Sequence, residues 1–274
     1  MRSQRLTMPQ FFLPPQALKD KTFRLSGPEA YHITKVLRYQ AGQTLVLFDG
    51  KGGRFEAVIR AIEADGSVRG VLTGTLHGSE ERQPVRIRLH QGLLKSSHWD
   101  WVLEKGTELG VSAFIPVTTP RTVVILHEAE RVKTKAERWA RVVMAAAKQC
   151  GTERLPEIGE PVEFREAIKA ATLRPEGAPA DGPRSLTLLA WEALGGVTAC
   201  ETVRLSLREA DQARGREAIT VNLFIGPEGG FTEEEVELAE SLGAVVFGLG
   251  PRTLRAETAA LAAISLVQYE FGSL

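Results

Sequence analysis

Two hundred and seventy-four residues, 43% hydrophobic and 25% charged, make a chain long enough for two globular domains and too balanced for general disorder. Two cysteines, Cys150 and Cys200, provide no disulfide framework, and neither they nor the five scattered histidines show metal-ligand spacing, so no metal is expected. The net charge is zero but segregated: residues 1–77 carry eleven Lys or Arg against six Asp or Glu, the remainder twenty-three against twenty-eight. A basic amino-terminal part suits a polyanion such as nucleic acid, and a solvated surface accounts for it nearly as well. No run of eighteen apolar residues is present, and the opening Met1–Met8 lacks the apolar core of a signal peptide, so a cytoplasmic protein without a membrane span is expected.

The amino-terminal part reads as mostly β. Ser26-Gly-Pro28 opens a short helix with Ile33, Val36 and Leu37 on one face; Thr44–Phe48, Arg54–Ile62 and Val68–Leu72 read as strands, with Asp49-Gly50 and Asp65-Gly66 as the turns between them. So many short strands in residues 1–77 predict a small barrel or sandwich. The polar stretch from His77 to Pro84 cannot support a core and reads as a linker.

From residue 84 onward strands and helices alternate. Val85, Ile87 and Leu89 alternate with Arg86, Arg88 and His90 as in a strand; Ser96 or Ser97 is the expected cap of a helix through Trp101, Val102 and Leu109, which Gly110 stops. Ala113–Val117 is the next strand. A long helix follows, about residues 130–150, with Arg138, Arg141 and Lys148 along one side, a stripe that a solvated face explains somewhat better than RNA contact. Cys150 reads as a small buried residue before the Gly151 stop. A helix over 163–171, a loop over 174–183 and a strand Leu186–Ala190 precede Trp191-Glu192, and a polar region runs to Glu217. Such alternation predicts a mostly parallel sheet covered on both faces.

Two strand-turn-helix units close the chain: Leu223-Phe-Ile-Gly-Pro-Glu-Gly-Gly230 and Val246-Phe-Gly-Leu-Gly-Pro-Arg-Thr-Leu-Arg-Ala-Glu-Thr258. Both turns sit at the carboxyl ends of strands, the edge where open α/β sheets bind ligands, and together they predict one pocket built largely from backbone. Thr232 and Glu235 form a capping-box pattern, so Glu233, Glu234 and Glu235 fill the first turn of the following helix and repel phosphate from its amino terminus. The glycine spacing matches neither the dinucleotide nor the P-loop pattern. A nucleoside-like ligand without phosphates fits better, and the carboxylates tolerate a cationic one. In the second unit Arg252, Arg255 and Glu257 precede an alanine-dense helix over 256–263, small and apolar enough to imply a packing partner such as another subunit.

Several of these segments, in order, resemble the RsmE-type methyltransferases of the SPOUT superfamily. The resemblance is carried by His32-Ile-Thr-Lys-Val-Leu-Arg38 and Leu47-Phe-Asp-Gly50 in the first part. In the second it is carried by Glu104-Lys-Gly-Thr-Glu-Leu-Gly-Val111, Gln149-Cys-Gly151 with Pro156-Glu157, Ile225–Gly230 and Leu249–Ala259. It implies a small PUA-like β-barrel RNA-binding domain over 1–77, followed over 84–274 by a SPOUT-type α/β domain with a trefoil knot. It also implies a homodimer, S-adenosyl-L-methionine as cofactor, and as substrate N3 of one uridine in the 16S rRNA of the small ribosomal subunit. A different RNA site, or an RNA-binding role without catalysis, remains the alternative.

Carried onto this chain, the resemblance implies a cofactor held by Trp191, Glu192, Gly226, Pro227, Glu228, Gly229, Leu249, Gly250 and Leu254. Its sulfonium and phosphate-free adenosine agree with the acidic capping box. Arg255 is the expected stabiliser of negative charge on the uracil oxygens and Glu257 the expected proton acceptor, with an ion pair between Glu257 and Arg252 or Arg255 as the structural alternative. Lys35, Arg38, Lys51 and Arg54 are the expected phosphate contacts. The family usually has an arginine where this chain has Gln10, and Arg5 is the candidate substitute.

Overall fold

A computed structural model describes residues 9–76, 84–124, 129–173, 185–194, 197–213 and 218–273. Arg5, most of the 77–84 linker and the 174–183 loop lie outside them. The chain divides into two compact units, one of Met1–Glu81 with Met144–Leu155, the other of Arg82–Val143 with Pro156–Leu274.

The first unit contains β1 (Gln10–Phe12), β2 (Leu18–Lys19), β3 (Thr22–Leu25), the short helix α1 (Gly27–Tyr31), β4 (Thr44–Phe48), β5 (Arg54–Ile62) and β6 (Val68–Leu76). All six strands join one sheet in the order β1-β4-β5-β6-β3-β2, rather than two stacked sheets. The two aspartate turns form as the sequence predicts. Asp49 Oδ1 accepts from the backbone N–H of Lys51 (2.7 Å) and Gly53 (2.8 Å), and Asp65 Oδ1 accepts from Ser67 N–H (2.9 Å), each fixing the register of an antiparallel pair. Phe11, Phe23, Leu25, Ile33, Leu45 and Ile59 fill the core, each contributing about 1.5–3 kcal/mol by leaving water. Ser26 occupies the cap position of α1 without a side-chain hydrogen bond, and a wider turn, His32–Val36, continues that helix.

The segment 144–155 is wired into this unit. Gln10, 6% exposed, donates from Nε2 to the carbonyls of Ala147 and Thr152, both at 3.2 Å. Gly52 N–H donates to the Glu153 carbonyl (3.1 Å), Leu155 N–H to that of Gly50 (3.0 Å), and Lys148 pairs with Glu29.

In the second unit the alternation holds throughout: β7 (Val85–Gly92), α2 (Ser96–Glu108), β8 (Val111–Thr118), α3 (Ala129–Cys150), β9 (Glu157–Ile158), β10 (Val162–Glu163), α4 (Phe164–Thr172), β11 (Ser185–Ala190), α5 (Val197–Ala213), β12 (Ile219–Ile225), α6 (Glu233–Ser241), β13 (Val245–Phe247) and α7 (Ala256–Glu270). The strands form one wholly parallel sheet, β10-β8-β7-β12-β11-β13 with β9 beside β8. On one face Ile115, Val117, Leu189 and Phe224 pack against Phe164 and Ile168 of α4 and Val236 of α6. On the other, α7 contacts β7, β12, α2 and α5, so both faces are covered.

Three local expectations fail. Helix α2 begins at Ser96 itself, with Lys95 at the cap position, so neither Ser96 nor Ser97 caps it by side chain. Cys150 is exposed rather than buried, at the last position of α3. The polar stretch before Glu217 contains α5, whose buried Val203 and Leu207 are too few among polar residues to advertise a helix. Among the described residues no helix is long and apolar enough to cross a membrane.

Candidate active site

Three strands that lie side by side, β12, β11 and β13, end at one edge of the parallel sheet. The two glycine-rich turns are therefore consecutive in sequence but not adjacent in space: β11 separates them and delivers Trp191-Glu192 between them. A cavity of about 420 Å3 opens there. It is lined by Trp191 and Glu192 from β11's end, by Gly226, Pro227, Glu228 and Gly230 from the first turn, and by Leu249, Gly250, Leu254, Arg255 and Glu257 from the second. Of the expected cofactor contacts only Gly229 is absent from the lining. A Cβ placed on Gly229 would meet Arg121 Cβ at 2.9 Å, so that glycine faces Arg121 instead.

The first turn is fixed by residues far away in sequence. Gln91, fully buried at the end of β7, donates from Nε2 to the carbonyls of Gly226 (3.0 Å), Gly92 (3.2 Å) and Ile225 (3.4 Å). Gly92 is required beside it, since any Cβ there would overlap Pro227. From the other side one guanidinium nitrogen of Arg121 donates to the carbonyls of Gly229 and Phe231, both at 3.1 Å. Glu228 reaches to the start of α2, where its carboxylate accepts from Lys95 N–H (3.1 Å) and stands 3.7 Å from His98 Nδ1. A carboxylate at that helix terminus is favoured by the dipole. Gly230 has φ +69°, and a side chain there would run into the Glu192 carboxylate.

The capping box forms: Thr232 Oγ1 accepts from Glu235 N–H (3.3 Å), and Glu235 Oε2 accepts from Thr232 N–H (2.8 Å). Burial pushes the Glu235 carboxyl up, whereas hydrogen bonds from its own backbone N–H and from Thr232 pull Glu234 down. The acidic end of α6 therefore keeps negative charge beside the turn.

The second turn is different. Helix α7 starts after Arg255, which caps it by position only and offers no side-chain hydrogen bond, so the first N–H groups of the helix stay open towards the cavity. Arg255 is exposed and Glu257 partly so. Arg252, Arg255 and Glu257 all line the cavity, and among the described residues no ion pair joins Glu257 to either arginine.

His98, Thr253 and the clamping residues Gln91 and Arg121 were not singled out from sequence. The break in alternation at the end of this strand, where polar Gln91 takes a position that Val85, Ile87 and Leu89 make apolar, was the available signal for Gln91. His98 and Arg121 carried none, because their roles arise from a helix start and a loop brought in by tertiary packing. In the first unit Lys35, Arg38 and Lys51 are exposed, with Arg38 in the left-handed region at φ +57°. Arg54 instead pairs with the buried Glu153 at 3.5 Å.

The cavity suits S-adenosylmethionine. Its volume falls in the range of small-ligand pockets, its apolar walls of Ala190, Trp191, Ile225 and Leu249 can take a purine, and the turn carbonyls and the Glu192 and Glu228 carboxylates favour hydroxyl, amino and cationic groups. Family comparison agrees. Residues 81–268 match the model of an RNA methyltransferase domain and residues 25–71 that of an RNA methyltransferase PUA domain. Ribosomal RNA small subunit methyltransferase E of Bacillus subtilis is 31% identical over 253 residues, covering 91% of this chain and 90% of the relative; the Synechocystis protein of that name is 29% identical, covering 92% and 75%. Among solved structures, the Neisseria gonorrhoeae enzyme of the same name bound to S-adenosyl methionine superposes with a TM-score of 0.73 at 27% identity, covering 96% of this chain and 97% of that one. A Legionella pneumophila methyltransferase with bound cofactor gives 0.75 at 28%, with the same coverage.

A PUA-like unit joined to a parallel α/β unit with this pocket defines an S-adenosylmethionine-dependent RNA methyltransferase. Within that class, the chain belongs to the ribosomal RNA small subunit methyltransferase E family.

Proposed function

We propose that the protein methylates N3 of one uridine in the 16S rRNA of the small ribosomal subunit, in the cytoplasm, as a homodimer. The observation that carries this reading is the contrast at the cavity rim: backbone and carboxylates on the β12 side, and an exposed Arg255, the start of α7 and a partly exposed Glu257 on the β13 side. The cofactor supplies an activated methyl group on a sulfonium centre.

The chain's own residues have two tasks. The first is alignment: Gly226–Gly230, Leu249, Gly250 and Leu254 would hold one reactant rigidly, because Gln91 and Arg121 leave the first turn little freedom. The second is charge. Uracil N3 must lose its proton to become nucleophilic, and the negative charge then spreads to the neighbouring carbonyl oxygens. Arg255 and the open N–H groups of α7 stand where such charge would be stabilised, and Glu257 on the first turn of α7 accepts the proton, directly or through water.

Residues 1–77 would act as the PUA-like RNA-binding barrel, with Lys35, Arg38 and Lys51 making phosphate contacts, and residues 84–274 as the methyltransferase domain with its carboxyl-terminal segment knotted. Both assignments are supported by the family matches and by the exposure of those cations. The last helix, with Leu261 and Leu266 only partly buried, is the proposed dimer contact.

The deciding experiment is single-turnover methylation of small ribosomal subunits by the Glu257→Gln variant with bound cofactor, with the modified nucleotide mapped. A rate lowered by about a hundredfold or more, with the pH profile flattened, is expected of a lost general base. An unchanged rate and profile removes Glu257 from that role, and methylation found elsewhere than uridine N3 removes the substrate assignment.

A further inference from the structure

In the first unit, α1 and the wider turn that continues it have an inner and an outer face. Ala30 and Ile33 are buried in the core and Leu37 packs against it, three and four residues apart as in an inward stripe. Val36 belongs to that stripe by α-helical spacing, yet it is 57% exposed. The backbone gives the reason. Leu37 N–H donates to the His32 carbonyl five residues back (3.0 Å), and so wide a turn carries Val36 further from the inner face than an α-turn would. Tyr31, one turn earlier, is 63% exposed. The rings of His32 and Tyr39 both meet Phe11 of the core edge-on, at 5.8 and 6.3 Å, whereas among the described residues no ring contact holds Tyr31.

Wide turns of this kind are uncommon and recur at functional sites. Arg38 follows in the left-handed region at φ +57°, a conformation unfavourable for any residue with a Cβ. Two successive departures from the easier backbone thus present one outer surface, made of Tyr31, Lys35, Val36 and Arg38. Its charge is positive: Lys35 and Arg38 are exposed and form no ion pair among the described residues, whereas Glu29, the acid of α1, is already paired with Lys148. Protein interfaces are depleted in lysine, so an aromatic ring among free cations suits RNA better. The cations take phosphates and the ring takes the face of a base. A duplex hides those faces, which leaves an unpaired nucleotide as the matching partner.

We propose that Tyr31 stacks on an unpaired base of the RNA substrate, with Val36 packing beside that base and Lys35 and Arg38 on the phosphates that flank it. The inference rests on the RNA-binding reading of residues 1–77 and adds what phosphate contacts alone lack, a means of telling single-stranded from paired RNA. Residues four apart on one helical surface have Cβ atoms about 5–6 Å apart, a separation that one nucleotide spans between its base and its phosphate. The ring and the nearer cation therefore serve the same nucleotide.

Three variants of the full-length protein test this, each read as affinity for small ribosomal subunits across a salt series. Tyr31→Ala is expected to weaken binding about tenfold at every salt concentration with the slope unchanged, because stacking releases no counterions. Tyr31→Phe keeps the ring and should bind within about twofold of the parent chain. Lys35→Ala should weaken binding and reduce the salt slope by about one. Affinity unaltered by Tyr31→Ala, or a Phe variant as weak as the Ala variant, overturns the inference while leaving the RNA-binding reading standing. Lost self-association at unchanged RNA affinity would assign the surface to a second copy of the chain, and overturns it too. A parent chain that fails to bind small subunits would instead sink the RNA-binding reading, and this inference with it.

Discussion

The turn after β12 is gripped by Gln91 from beneath, by Arg121 from outside and by Glu228 reaching to α2, whereas among the described residues no side-chain hydrogen bond holds residues 249–255 of the turn after β13. One glycine-rich turn is a rigid cradle; the other is a platform for exposed side chains. Both have the same raw sequence grammar of an apolar strand, Gly-Pro and then a helix, so the difference lies in what the rest of the fold brings to each. Rigid backbone suits recognition of a cofactor that must be presented identically at every turnover. Exposed arginines and a helix whose cap residue offers no side-chain hydrogen bond suit a substrate that arrives from outside and develops charge.

The largest effect should come from the open turn. Arg255→Ala is expected to lower the single-turnover methylation rate by about 100- to 1000-fold, as for the loss of one charge-stabilising donor, while cofactor affinity by calorimetry stays within about threefold. A parallel collapse of cofactor affinity would show that the Arg255 side chain, and not only the segment Leu249, Gly250 and Leu254, helps to hold the cofactor, and the contrast between the turns would be gone.

Breaking the grip on the first turn should act on stability and cofactor binding rather than on the chemical step. Gln91→Leu leaves three carbonyls without their shared donor, and denaturant unfolding should reveal a loss of about 2–3 kcal/mol. Its rate at saturating cofactor should remain near that of the parent.

Next to Gln91, His90 stacks on Phe224 at 4.2 Å and stands 3.4 Å from Asn222 Oδ1. Burial, helped by the charge of Arg88, lowers its pKa from 6.5 to about 3. The folded protein therefore keeps this ring neutral where the unfolded chain protonates it, so the unfolded state binds more protons between pH 6.5 and 3. Stability is unaffected by this group above the unfolded value and falls as pH drops through the window, by about 2 kcal/mol at pH 5. His90→Gln should flatten that part of the stability-pH curve; an identical slope in the variant would show that another group carries it.

Smallest is Arg121→Ala. Its guanidinium is exposed and serves two carbonyls from one side, so about 1 kcal/mol of stability and a few-fold of cofactor affinity are expected to go. A loss as large as that of Gln91→Leu would mean that the outer grip, not the buried one, sets the turn.

Period and turn chemistry made much of this molecule legible before its structure. The alternation of Val85, Ile87 and Leu89, the aspartate hairpins and the Thr232 capping box are local signals, and each element formed where those signals placed it. What stayed hidden is tertiary. Sequence order put the two glycine turns on successive strands, but only the pairing of β11 with both β12 and β13 shows that Trp191 and Glu192 lie between them. Helix α5 was concealed because its few buried positions are diluted by polar residues. At the start of α2, where no serine caps, the Glu228 carboxylate, distant in sequence, accepts from the N–H of the cap residue Lys95, a contact that no local signal announces.

Residues 144–155 bear on how the protein can be handled as parts. One residue earlier their helix counts with the second unit, yet Gln10, Gly50, Gly52 and Glu29 all bond to them. A recombinant fragment ending before residue 84 would lack this piece of its own framework, and one starting there would carry it without partners. In genetic terms the first unit is encoded by two separate stretches of the gene, so swapping it between relatives requires moving both stretches together.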